Sequence, residues 1–299
     1  MLRPLSLSFE RSLAARSPEN ALTEVRRTFA GLQEQMATGR RVNRPSDDPT
    51  AFEQARTWEA HAERLDGHLR AVSAARLWTS HTAEALDGLV ELTMTAHEHG
   101  VRGRNDSLSD ADREALALRI DSLLEEAVDR LNGQVEGEYL FAGNQTGTEP
   151  FAADGTPNAG DFSGLRVRRI GPGVDLAVNV PGDRVQHLGN GQTATGALRA
   201  LADALRGSGD FETALADVAA ARDHFIALAV ENGEVRLRLD EAEAQLDAAA
   251  LLAERHRADL EDTDLFAAAS EAQRAQSQLE ATLQTIAAIR QRSLLDYLR

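Results

Sequence analysis

Two apolar stripes, one near each end of the chain, constrain its fold more than any other feature. Leu22, Val25, Phe29, Leu32 and Met36 step by three and four residues. Near the other end, Leu265, Ala268, Ala272, Ala275, Leu279, Leu283, Ile286 and Ile289 repeat the same seam. Such spacing puts every member on one face of a helix, the pattern of a coiled coil. A lone helix of this length is marginal in water. Each Leu or Ile that leaves water contributes about 1.5–3 kcal/mol, so both seams require a partner. The expected fold is therefore mainly α: a long antiparallel helical rod or coiled coil in which the N- and C-terminal segments pair. Residues 1–45 and 265–299 are expected to be poorly ordered alone and to become helical as neighbouring copies cover their seams.

The stretch "ATGRRVNRPSDDPTAF", residues 37–52, interrupts the first seam. Gly39 can take the left-handed conformation that closes a helix. Arg44 and Asp48 precede prolines, which turns them away from the α region. Asp48 is placed to cap a new helix with Pro49 at its first position and the Asp47 carboxylate near its positive end. The reading is helix, rigid turn, helix. Asn43, Arg44 and Pro45 complete the turn with Gly39, Asp47, Asp48 and Pro49.

Ser17-Pro18 marks the start of the first seam helix. The preceding residues hold a short amphipathic pattern, with Leu5, Phe9 and Leu13 on one face. Beyond the turn the periodicity resumes at Ala55, Trp58, Ala62, Leu65, Leu69 and Val72, weakens from Arg76 to Thr82, and continues to about His99. Ser109 and Asp112 form a capping-box pattern with Asp in place of Glu, and Leu116, Ile120, Leu123, Ala127 and Leu131 follow it. From Tyr139 to Gly191 the period drops towards 2 and glycines and prolines punctuate it. Val174, Leu176, Val178 and Val180 are expected on one strand face. Helix returns with Leu198, Leu201 and Leu205, breaks at "GSGD", and runs from Phe211 to about Leu260. Three regions follow: a terminal coiled-coil domain (1–45 with 265–299), a helical rod domain (46–138 with 192–264), and a small β-rich insertion (139–191).

Composition narrows the function. The formal charge is −16, which repels a phosphate backbone and argues against nucleic-acid binding. No run of eighteen apolar residues occurs, so no membrane insertion is expected. The chain has no cysteine and no lysine, all 32 basic residues being arginine. Thiol nucleophiles, Schiff-base chemistry and a lysine-bearing phosphate loop are thereby excluded. His97-Glu98-His99 has the wrong spacing for two ligands on one helix face, and there is no GxSxG elbow. No catalytic residue, cofactor or metal is expected. A cytoplasmic helical scaffold is the plain competing reading, against which the inserted β region argues.

"LQEQMATGRRVNRPSDDP" (32–49), "YLFAGNQTGTEPF" (139–151) and "DTDLFAAASEAQRAQSQLEATLQTIAAIRQRSLLDYL" (262–298), in this order, resemble the bacterial flagellin superfamily. Pro45-Ser46-Asp47-Asp48-Pro49 and the "FAG" at 141–143 are similar to its hook–filament junction members more than to filament flagellins. The resemblance implies an extracellular structural subunit of the flagellum, exported through the type III apparatus without a cleaved signal. It implies self-association into a ring or short polymer between hook and filament. It also implies contact with flagellin and a neighbouring hook-associated protein, and an export chaperone on the C-terminal helix. Residues 39–49 would then be the spoke between an inner and an outer helical layer.

Overall fold

The computed structural model describes residues 18–189 and 191–297; the side chains of Pro18, Glu19 and residues 289–297 are not among those described. The pattern at Leu5, Phe9 and Leu13 lies outside the described residues. Among the described residues seven helices carry the fold: α1 (Pro18–Thr38), α2 (Pro49–Gly103), α3 (Asp110–Leu131), α4 (Gly182–Gln186), α5 (Ala194–Leu205), α6 (Phe211–Glu261) and α7 (Leu265–Tyr297). No helix among the described residues is long and apolar enough to cross a membrane. The fold is mainly α with a small β-containing insert, as the periodicities require. The chain divides into two compact units, Met1–Glu63 with Leu251–Arg299, and Arg64–Ala250.

In the first unit α1 and α7 pair antiparallel. The end of α1 meets the start of α7, where the Thr263 N–H donates to the Gly39 carbonyl at 3.0 Å. Further along, Leu32 is buried against Ala272 and Ala275, with Phe29 and Met36 packed around them.

In the second unit the residues of α2 and α6 run antiparallel: the Asn232 amide donates to the Thr79 carbonyl at 2.8 Å, and Arg76 pairs with Asp240 at 3.1 Å. Helices α3 and α5 join them around one core, in which Leu86, Leu89, Ile120, Leu201, Phe225 and Leu228 are all fully buried. Helix α3 begins with the expected capping box: the Ser109 hydroxyl accepts from the Asp112 N–H, and Asp112 reaches back to the Ser109 N–H. The Arg206 guanidinium at the end of α5 spans Glu114 (3.2 Å) and Asp121 (2.5 Å), a cation placed where a helix C-terminus favours it.

The insert contains less strand than its period-2 pattern suggests. Among the described residues four short strands form two hairpins: β1 (Gln134–Val135) with β2 (Glu138–Tyr139), and β3 (Val167–Gly171) with β4 (Val174–Ala177). Pairing thus begins before Tyr139, through a two-residue turn in which Glu136 (φ 51°) and Gly137 (φ 83°) both lie in the left-handed region, as the twist of a tight hairpin demands. Val174 to Val180 do not share one strand face. Strand β4 ends at Ala177, Val174 is exposed, and Val178 and Val180 turn into the core. Between the hairpins asparagine side chains stand in for ladder bonds. Asn132 both accepts from the Phe151 N–H (3.1 Å) and donates to its carbonyl (2.8 Å). Asn179 treats the Arg166 N–H (2.7 Å) and the Gly164 carbonyl (3.0 Å) in the same way. This satisfies backbone groups that an irregular buried loop would otherwise orphan.

Candidate assembly site

Residues 39–48 form a turn held from both sides. Gly39 has φ 72°, which ends α1 and reverses the chain. The Asp47 carboxylate accepts from the N–H groups of Asn43 (3.0 Å) and Arg44 (2.9 Å). The Asn43 amide donates to the Arg40 carbonyl at 3.0 Å, and Arg44 reaches back to Glu34 at 2.7 Å. Asp48 accepts from the Ala51 N–H at 3.0 Å and so caps α2. That bond, followed by the neighbouring Arg41, holds the Asp48 carboxyl below its usual range despite its partial desolvation. Pro49 opens the helix, and Pro45 is exposed on the turn.

The turn is also latched to the junction of α6 and α7. The N–H groups of Arg41 (2.5 Å) and Val42 (3.3 Å) converge on the Glu261 carbonyl, and the Arg41 guanidinium donates to the Leu260 carbonyl at 3.0 Å. These are the last carbonyls of α6, so the turn satisfies groups that a helix end leaves open. The Glu261 carboxylate is itself buried and held between Arg257 (2.9 Å) and Arg40 (3.3 Å), the paired state that burial of a charge requires. Val42 is 1% exposed and fixes the centre of the turn. One turn outward, Trp58 stacks on His256 with ring centres 4.5 Å apart. Asp264 caps α7 through the Phe266 and Ala267 N–H groups, at 3.0 and 3.1 Å.

The seam is less complete than the turn. Its buried members are Leu32, Ala268, Ala272 and Ala275. Leu22, Val25, Phe29, Met36, Leu279 and Ile286 are half-buried, and Leu265 and Leu283 are exposed. The Ile289 side chain lies outside the described residues. Beside the seam stands a residue that its periodicity does not pick out: Phe266 is 88% exposed. Leu251 and Leu252 are also more than half exposed. The first unit therefore keeps large apolar side chains in water while burying mainly alanines.

Sequence reasoning missed Glu261, Arg257 and Phe266. The D-T-D-L run at 262–265 carries a legible capping signal at Asp264. The Glu261 contact reaches across more than two hundred residues and leaves no local trace.

Residues 12–146 match the bacterial flagellin N-terminal helical region. The chain is 29% identical over 153 residues to flagellar hook-associated protein 3 of Escherichia coli K12, covering 51% of this chain and 48% of that protein. It is 32% identical over 133 residues to flagellar hook-associated protein 3 of Salmonella typhimurium LT2, covering 44% and 42%. These matches span about half the length of the curated relatives or less. Among solved structures, flagellar hook-associated protein-3 of Legionella pneumophila superposes with a TM-score of 0.60 at 14% identity, covering 69% of this chain and 98% of that one. At that identity the likeness concerns the fold.

Proposed function

We propose that this chain, whose residues 12–146 match the bacterial flagellin N-terminal helical region, is a structural subunit of the bacterial flagellum that polymerises at the hook–filament junction and adapts one to the other. The observation that carries this reading is the unfinished seam. Leu265, Leu283 and Phe266 stand exposed beside a pair of helices that bury little between them. Covering a Leu, Ile or Phe side chain yields about 1.5–3 kcal/mol, so a neighbouring subunit gains most where this unit has left side chains uncovered.

The turn at residues 39–49 acts as the spoke between terminal seam and outer helices. A spoke must hold an angle under load. Two prolines, the Asp48 cap, the Asp47 bonds to the Asn43 and Arg44 N–H groups and the Glu261 latch supply that stiffness. The subunit works outside the cell, next to flagellin and a further hook-associated protein, with its C-terminal helix covered by an export chaperone beforehand. It has no catalytic role. The similarity to hook-associated proteins supports this over a cytoplasmic helical scaffold.

A deletion strain tests the role directly. It should build hooks and shed flagellin into the medium, and the restored gene should return filaments. Filaments of normal length on hooks that lack the protein would reject the junction assignment.

A further inference from the structure

Helix α6 carries an inner stripe on strict heptad spacing. Val218, Phe225, Asn232, Leu239 and Leu246 fall seven residues apart, and all are buried. Helix α2 answers with Leu65, Val72, Thr79, Leu86 and Thr93, again seven apart and again all buried. This is coiled-coil spacing, here between two antiparallel helices of the second unit.

So regular a repeat leaves the alignment open. The Asn232–Thr79 bond sets those two residues level. Counting outward by sevens then puts Val72 level with Leu239, and Leu86 level with Phe225. Sliding one helix by a heptad would again set apolar or threonine side chains beside apolar ones. Hydrocarbon burial is non-directional, so it does not by itself choose the register. The same repeat would let α6 of one copy meet α2 of another.

The threonines of the α2 stripe carry no alignment either. The hydroxyls of Thr79, Thr82 and Thr93 donate to carbonyls of their own helix, those of Arg76, Trp78 and Leu89, at 3.2, 3.0 and 2.8 Å. Such bonds travel with the helix in any register. Asn232 differs. It is the one polar member of the α6 stripe, and its amide crosses to the other helix, donating to the Thr79 carbonyl at 2.8 Å. One heptad either way, that amide would lie beside Val72 or Leu86, hydrocarbon in each case. A buried amide taken from its partner and set against hydrocarbon destabilises the register that does so. Its place in the stripe matters too. Phe225 and Leu228 of α6 belong to the core shared with α3 and α5, whereas Leu239 and Leu246 lie outside that cluster. Asn232 stands where the stripe leaves the core.

We propose that Asn232 is the register pin of the α2–α6 pair. Its buried amide weakens the seam relative to leucine, and in return admits one alignment of two repetitive stripes and one partner helix, that of its own chain.

With no cysteine in the chain, Arg64→Cys on α2 and Glu234→Cys on α6, both at exposed positions, take nitroxide labels on the full-length protein. Double electron–electron resonance should give one distance when Asn232 is present. In an Asn232→Leu background the urea midpoint should equal or exceed that of the parent. A second distance should nevertheless appear, displaced by about 10 Å, one heptad at 1.5 Å per residue, or the variant should elute as a dimer. Asn232→Ala removes the amide without adding bulk, and should show the same loss of a single state at a lower midpoint. Leu239→Met, the next position of the stripe, should keep the parent's single distance. One distance and the parent's mass in both Asn232 variants would overturn the proposal. So would a second distance in the parent or in Leu239→Met, since the amide would then not be what selects the register. The measurement uses the isolated chain, so its outcome is independent of the junction role.

Discussion

Helix α5 of the second unit buries Leu198, Leu201 and Leu205 almost completely, against leucines and aromatics of α2, α3 and α6. Helices α1 and α7 of the first unit have comparable spacing but bury Leu32 against two alanines. Similar periodicities thus lead to different ends. In the second unit four helices and an insert share one core, so each stripe meets several partners. In the first, two helices offer each other one narrow contact, and much of each seam remains half in water. Burial of apolar area is the main favourable term in folding, so the second unit covers its own stripes, while the first leaves apolar area that, on the proposed reading, a neighbouring subunit would cover.

Substitutions should separate the two units sharply. Leu201→Ala removes a fully buried side chain and should cost about 2–5 kcal/mol, the range for large-to-small changes in well-packed cores. Urea denaturation followed by circular dichroism would measure it. A loss below about 1 kcal/mol would mean that this core is looser than its burial indicates. The seam should behave in the opposite way. Phe266→Ser with Leu283→Ser changes side chains already exposed, so the isolated chain should lose at most about 1 kcal/mol. The same protein, returned to a deletion strain, should fail to restore filaments. Full motility from that variant would show that the exposed seam is not an assembly surface.

Limited proteolysis sharpens the contrast without substitution. Early cuts should fall within α1 and α7, leaving a resistant fragment that contains residues 64–250, because local opening is cheapest where few apolar contacts are lost. Ends that resist as long as the core would contradict the expectation that the terminal helices order fully only with neighbours.

How much of this was legible in the sequence depended on the range of the interaction. The helix starts at Pro49 and Asp110, the Ser109–Asp112 box and the Asp48 cap are written in four or five consecutive residues, and each is found where the local pattern puts it. The stretch from Arg76 to Thr82, where the apolar period weakens, is different. It buries Trp78, Thr79 and Thr82, with the Arg166 guanidinium 4.3 Å from the Trp78 ring centre and bonded to Glu138 at 2.6 Å. A polar interior has no period, so hydrophobic pattern alone reads it as a fault in the helix. The insert misled for a related reason. Alternation at Val174 to Val180 predicts a longer strand, but after Val178 the Asn179 side chain, in place of the backbone, bonds the Arg166 N–H and the Gly164 carbonyl opposite, and the backbone leaves the ladder. The exposed Phe266 sits outside the seam's spacing, and only its surroundings reveal it.

Smaller effects reach the turn itself. Asp48→Ala removes the α2 cap, whereas Asp48→Asn keeps an acceptor oxygen for the Ala51 N–H. Amide exchange at Thr50 and Ala51 should quicken in the alanine variant and stay near parent in the asparagine variant. Equal exchange in both would show that the charge, not the cap, holds this end. Because the carboxyl is held below its usual range in the folded chain, its contribution is present above the ordinary carboxylate range. It is lost as acid carries the pH down through the folded value.

The smallest expected effect lies in the second unit, at His99. Its Nδ1 is buried without a hydrogen-bond partner among the described residues. Desolvation first, then the charges of Arg102 and Arg119, push its pKa below the ordinary histidine value, with Glu98 opposing. A histidine with a lowered folded pKa is neutral in the native chain, and the unfolded chain takes up the proton first. Stability from this group is therefore full above the unfolded value near 6.5 and declines as the pH falls from there towards the folded value. His99→Gln removes the titration while keeping a polar side chain of similar reach. Melting temperatures of parent and variant, taken between about pH 7 and pH 5, should show a shallower decline in the variant. Parallel curves would mean that protonation of His99 costs the fold nothing, and that the second unit opens to water around this residue more readily than its burial implies.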